Sequence, residues 1–215
     1  MIYYDHSHNM NVVKGVDTMS LYQQQRKQVK KSILDTSVEL FGKKGYENTT
    51  IDEITKAIGV AKGTFYNFYQ SKSEILISWA AQKFQTIRIH QAFNDNKTLE
   101  DNLYKFIEIM VKAIEGEEEL FQCFLKEILK FHGDKEYYKQ FDIISIYHFI
   151  IKNSNDANRV DKSLLDIKIE VLNNSLFMGM INWFKAGNSV DGLQQHLSKI
   201  VRVCLYGILN GVEED

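Results

Sequence analysis

An all-α fold is what this sequence predicts, and three observations carry the prediction. Apolar residues recur at three- and four-residue intervals through most of the chain from Leu21 onward. No segment alternates at period two for long enough to argue a sheet. The 215 residues include no proline, which leaves glycine and asparagine to separate one helix from the next.

The elements follow in order. Residues 1–19 have no helical period and read as a loose tail, with Met10 or Met19 equally placed to be the natural start; His6 and His8 within it are too few ligands for a metal site. From Leu21 a first helix aligns Val29, Ile33, Ser37, Leu40 and Phe41 on one face, and residues 42–48 end it, with Gly45 as the left-handed turn residue. Thr50 and Glu53 have the spacing of a capping box and open a second, short helix over 51–58, which Gly59 stops. A third spans 62–69. Ser71 and Glu74 repeat the capping-box spacing and open a long fourth helix toward Phe93. Beyond it, helices are separated near 94–98, Gly116, Gly133, 153–158 and 187–192, and the last two cover 163–186 and 191–211. The predicted organisation is therefore a disordered tail (1–20), a small helical domain (21–70) and a larger helical body (71–215).

Composition excludes several classes. At 44% apolar and 25% charged the chain is neither disordered, collagenous nor a disulfide scaffold. No stretch resembles a membrane span or a secretory signal, which places the protein in the cytoplasm as an expectation. Cys123 and Cys204 lie far apart among apolar neighbours, as two buried thiols would. Charge is divided unevenly: between Ser20 and Ser73 nine Lys and Arg face five Asp and Glu, whereas from Glu74 onward 16 cations face 21 anions. A basic head on an acidic body points to a polyanionic partner for the head.

The second and third helices, joined by a tight turn, have the dimensions of a helix-turn-helix. Ile51, Ile54 and Ile58 give the first of the pair an apolar stripe, which Val60 and Phe65 meet. The outward positions of the other are Lys62, Thr64, Tyr66 and Asn67, offering charge, hydroxyls and an amide, with Gly63 allowing close backbone approach to a phosphate or base. In such motifs the second helix enters the major groove of double-stranded DNA through its amino-terminal residues.

The full run ILDTSVELFGKKGYENTTIDEITKAIGVAKGTFYNFYQSKSEIL, residues 33–76, closely resembles the DNA-binding domain of the TetR family of bacterial repressors. Phe41, Gly45, Tyr46, Thr49, Thr50, Ile54, Gly59, Val60, Lys62, Gly63, Thr64, Tyr66, Ser71, Lys72 and Leu76 carry the resemblance at fixed spacing. It implies that Lys62, Gly63 and Thr64 face bases or adjacent phosphates, and that Thr50, Tyr66 and Lys72 bind phosphate. Each of the last three has another reading from the residues themselves: Thr50 as a helix cap, Tyr66 as a packing ring, Lys72 as a solvated charge. The chain also departs from the pattern. The aromatic pair often written Tyr then Phe is Phe68 then Tyr69, which removes a phosphate-binding hydroxyl; Thr55 stands where alanine is usual; and Asp52 brings an anion near the DNA side. Asp52 either accepts from a cytosine amine or, the preferred reading, complements the helix dipole.

For the body the resemblance implies a homodimer, paired through the last two helices, and a pocket for a small-molecule effector. Leu172, Leu176, Gly179, Met180, Leu197, Val201 and Leu205 are the candidate dimer residues, since apolar side chains cover more of these helices than one stripe requires. Trp79, Phe84, Phe106, Phe124, Tyr147, Phe177 and Trp183 are the candidate pocket lining, suited to an apolar or aromatic effector. His132, Asp134 and Glu136 fall in a polar turn and read as solvated. No nucleophile-base pair, phosphate loop, redox motif or metal set is legible, so neither enzymatic activity nor a cofactor is expected. The expected function is a repressor released from operator DNA by its effector; the alternative is the same DNA-binding head controlled by a protein partner. In either case the fourth helix, running from Lys72 past Trp79, Phe84 and Ile87, links the two ends.

Overall fold

The computed structural model describes residues 18–86, 93, 96–131, 141 and 143–206, all helical or irregular. The tail up to residue 17, Ile87, Gly133, the polar turn with His132, Asp134 and Glu136, and the end of the last helix lie outside the described residues.

Helix α1 runs Thr18–Lys44, beginning three residues before Leu21. Ile33, Leu34, Ser37 and Phe41 form its buried face, and Ser37 Oγ closes its own polarity by donating to Ile33 O at 2.6 Å. Solvent-side pairs one turn apart, Lys31–Asp35 and Glu39–Lys43, support the opposite face. Gly45 at φ 86° ends the helix, its N–H donating to Phe41 O. Helix α2 is Ile51–Ile58, with the full capping box of Thr50 and Glu53 at one end and Gly59 at φ 70° at the other.

Helix α3 is shorter than the spacing suggests, Lys62–Tyr66, with residues 67–69 completing a turn behind it. Helix α4, Lys72–Thr86, opens on Ser71 Oγ, which accepts from Glu74 N–H. The reciprocal bond differs from a strict box: the Glu74 carboxylate accepts from Gln70 N–H, one residue earlier. Phe93, expected at the end of this helix, is buried and is itself in no helix; its immediate neighbours lie outside the described residues.

In the body come α5 (Leu99–Ile114), α6 (Glu118–Ile128) and α7 (Ile143–Lys152), then α8 (Leu165–Lys185) and α9 (Leu193–Tyr206). Thr98 and Asp101 make a capping box for α5. The start of α5 is further fixed by Asp156 Oδ1, which accepts from Leu99 N–H at 2.8 Å, and by Asn102, which donates to Ser154 Oγ at 3.0 Å. Helices α8 and α9 form a hairpin that packs on α5 and α7. At its crossing Gly179 brings the backbones close: a Cβ there would stand 2.3 Å from Ile200 Cδ1.

One contiguous core runs through head and body, from Ile33, Ile54 and Phe65 to Leu176, Leu197 and Val201. The thiols differ from expectation. Cys123 is half-buried, where burial pushes its pKa up, and Cys204 is exposed, because it falls on the outer side of α9. No described helix is long and apolar enough to cross a membrane.

Candidate nucleic-acid interface

The motif is assembled around two fully buried side chains, Ile54 of α2 and Phe65 of α3. Truncating a buried phenylalanine to alanine costs about 3–5 kcal/mol, so burial of Phe65 is a large part of what holds α3 on the core. Thr55, the residue unusual for the family, is accommodated because its hydroxyl donates to Asp52 O at 3.1 Å inside the helix, leaving its methyl to the core. Val60 N–H and Gly59 N–H return to Thr55 O and Lys56 O and finish the turn.

From this base α3 turns an open face to solvent. Lys62, Gly63, Tyr66 and Asn67 are exposed and Thr64 is half-buried. A Cβ at Gly63 would meet nothing within 4 Å, so the backbone is bare there. Tyr66 is 48% exposed, its ring set edge-on against Phe65 at 5.6 Å, which steadies the phenol without covering it. Lys62 and Asp52 form an exposed ion pair at 2.8 Å. The hydrogen bond that Lys62 donates to Asp52, and then the charge of that carboxylate, raise the Lys62 pKa. Asp52 thus has a partner within the protein in addition to the helix dipole.

Two predicted phosphate ligands are used internally. Thr50 Oγ1 accepts from Glu53 N–H at 3.2 Å and donates to Glu53 Oε2 at 3.0 Å, the capping reading. Lys72 is not a free surface charge: its ammonium donates to Tyr46 O at 2.5 Å and Thr49 O at 3.0 Å and lies 4.2 Å from the Tyr46 ring centre. It clasps the α1–α2 loop to the start of α4, because loop carbonyls with no helical partner face it.

Beside that clasp is a network the sequence did not disclose. Tyr46 Oη lies 3.3 Å from Ser73 Oγ, which donates to Glu127 Oε2 at 2.6 Å, and Lys130 holds the other carboxylate oxygen at 2.5 Å. Burial pushes the Tyr46 phenol up to about 12. For Glu127 burial works to raise the pKa, but the hydrogen bonds from Lys130 and Ser73 outweigh it and the carboxyl is held below its ordinary value. A loop of the head, the first turn of α4 and helix α6 of the body are joined through these groups. The only signal for it was a glutamate among the apolar residues Phe124, Leu125 and Ile128.

The residues expected to line a pocket are packed against other rings or helices. Phe106 meets Tyr147 at 5.6 Å, while Phe84 and Phe124 each meet Phe141 at 5.7 Å. Trp183 stacks on His196 and donates to Ser189 O at 2.6 Å, tying the α8–α9 loop. Phe177 is half-buried against the core. Trp79 differs: it is 5% exposed, yet its Nε1–H has no acceptor among the described residues.

The expected dimer residues are also placed differently. Leu172, Leu176, Gly179, Met180, Leu197 and Val201 are buried within the chain itself, and Leu205 is half-buried. Helices α8 and α9 use these side chains to pack on each other and on α5, so a partner has little of them left to cover. Among the described residues of α8 and α9, apolar side chains left in solvent include Ile167, Val171 and Met178 of α8 and Val203 of α9, at 44–55% exposure. The three on α8 fall at helical spacing along one stripe.

An exposed, partly basic α3 carried on a two-helix scaffold defines a helix-turn-helix DNA-binding protein. Residues 33–78 match the family described as "Bacterial regulatory proteins, tetR family". Over 74 residues the chain is 39% identical to the HTH-type transcriptional regulator YerO of Bacillus subtilis, covering 34% of this chain and 24% of that one. Over 84 residues it is 33% identical to IcaR of Staphylococcus epidermidis, a negative regulator of the biofilm operon icaADBC, covering 37% and 43%. The chain thus spans less than half the length of these curated relatives. In fold it is similar to FadR of Thermus thermophilus, a TetR-family transcriptional repressor solved with lauroyl-CoA, with a TM-score of 0.70, 22% identity, and 86% and 97% of the two chains covered. The amino-terminal segment, residues 33–78, thus matches the TetR family of bacterial regulatory proteins, and the remainder of the chain shares the fold of a structure from that family.

Proposed function

We propose that the chain acts in the cytoplasm as a homodimeric transcriptional repressor that binds operator DNA through α3 and is released by an apolar or aromatic effector. The open face of Lys62, Gly63, Tyr66 and Asn67, with Thr64 half-buried at its edge, carries the DNA reading, since a groove-reading helix needs residues of these types toward solvent. The Trp79 N–H, without an acceptor among the described residues, supports the effector reading. A buried donor without an acceptor is costly, and an apolar ligand bearing one acceptor oxygen would relieve it. A fatty acyl thioester has that chemistry, and the Thermus FadR was solved with one, lauroyl-CoA. Pairing of two copies through Ile167, Val171, Met178 and Val203 would bury the exposed apolar stripe.

The test is calorimetric titration of lauroyl-CoA into the free protein and into its complex with an operator selected from a random oligonucleotide pool. Coupling of about 1–3 kcal/mol makes binding to the complex some 5- to 150-fold weaker, and operator binding weaker by the same factor when the ligand is present. Equal affinities in the two titrations reject release by this ligand. No binding in either rejects the acyl thioester as effector.

A further inference from the structure

We propose that Arg26, on the amino-terminal half of α1, is a phosphate-binding residue of the DNA interface and replaces the hydroxyl that Phe68 lacks. The inference rests on the DNA-binding reading of α3 and adds to it a contact from a different helix.

The aromatic pair that follows α3 carries a single hydroxyl, and it is turned inward. Tyr69 is 1% exposed and its Oη donates to Lys30 O at 3.5 Å, a long bond inside the head. Phe68, the partner nearer solvent, has nothing to offer an anion. The Arg26 guanidinium lies 5.2 Å from the Phe68 ring centre. A ring holds a guanidinium without using its N–H groups, all of which remain available to a phosphate.

The surroundings suit such a contact. Arg26, Tyr22 and Gln25 form one wall of a groove of ≈ 470 Å³ whose other wall is Thr64, Asn67 and Phe68, so Arg26 borders the face of α3 that reads DNA. Arg26 is exposed and forms no ion pair with any described residue. Four other cations of the head, Lys31, Lys43, Lys44 and Lys62, each hold a carboxylate. Arg26 therefore brings a positive charge not neutralised by a neighbouring acid to the edge of the interface, where a strand passing α3 presents its backbone.

The test compares Arg26→Ala, Arg26→Lys, and Arg26→Ala combined with Phe68→Tyr, by fluorescence anisotropy on selected operator and on an unrelated duplex between 50 and 300 mM NaCl. A Lys62→Ala, Tyr66→Ala double variant reports on α3. Loss of one phosphate contact flattens the dependence of log K on log salt by about 0.9 per protomer and weakens binding about five-fold per protomer at 0.15 M salt. Arg26→Ala is expected to show this on both duplexes. Arg26→Lys is expected to keep the salt slope, and Phe68→Tyr to recover part of the affinity lost with Arg26. Unchanged affinity and slope in Arg26→Ala, with binding lost in the α3 variant, overturns the role of Arg26 and leaves the α3 reading standing. Unchanged binding in both overturns both. Far-UV circular dichroism checks folding, and Arg26→Gln repeats the measurement should alanine disturb α1.

Discussion

Replacing Asp52 by asparagine separates the two things this carboxylate can do. Asp52 Oδ1 and Lys62 Nζ form an ion pair 2.8 Å apart, with side chains 72% and 53% exposed, on the surface proposed to meet DNA. If Asp52 chiefly masks Lys62, Asp52→Asn frees one cation per protomer and removes one repelling anion. The salt dependence then steepens by about 0.9 per protomer, so between 200 and 50 mM salt the variant gains about 3.5-fold over wild type per protomer, on any duplex. If Asp52 instead accepts from a cytosine amine, the variant loses operator affinity and keeps its affinity for unrelated DNA. The pairing in the structure predicts the first outcome. Stability should change little, because the pair is solvent-exposed and the carboxylate acts on the dipole only from the first turn of α2. Anisotropy titrations at four salt concentrations on operator and unrelated duplex measure both lines. Parallel lines for variant and wild type refute the masking argument.

Further outcomes follow from the body. Val171→Glu and Met178→Glu place charges on the exposed stripe of α8 and should convert a dimer to a monomer in light scattering at micromolar concentration, with helicity retained; a dimer that survives both substitutions removes this stripe from the interface. Glu127 should make stability depend on acid. Its folded pKa lies below the unfolded value, so its contribution is present above about pH 4.3 and is lost as pH falls through the folded pKa. Urea denaturation of Glu127→Gln across pH 3–6 should show a shallower decline than wild type, and identical slopes would remove Glu127 from the balance.

What could be read beforehand depended on how local the physics was. The beginnings of α2 and α4 were legible because a cap needs only a hydroxyl and a carboxylate three residues apart, and Gly45 and Gly59 because a left-handed residue ends a helix wherever it falls. The outward positions of α3 were legible for the same reason, being the complement of one apolar stripe. Lys72 was not: its partners are carbonyls 23 to 26 residues away, and neither composition nor spacing distinguishes a clasp from a surface charge. Helix α8 failed differently. It is apolar on several sides, so periodicity shows that more than one face is covered without telling which face meets its own chain and which remains for a second copy. Arg26 and Phe68, 42 residues apart in the chain, meet only through the tertiary placement of α1 beside the end of α3.

The clasp at the start of α4 turns that helix into a lever with a fixed fulcrum. Lys72 and Ser73 are bound to the head on one side and, through Glu127, to α6 on the other, so the first turn cannot slide without breaking several hydrogen bonds. Trp79 stands six residues further on, about 9 Å along the axis at 1.5 Å per residue. A lateral displacement of about 1 Å at Trp79 is therefore a rotation of roughly 6° about Ser73, by the same helix rise. Because Lys72 and Ser73 contact the Tyr46 loop, such a rotation would be felt there first. A bulky group entering beside the indole would act on DNA affinity through angle, leaving every residue of α3 in its place on α2.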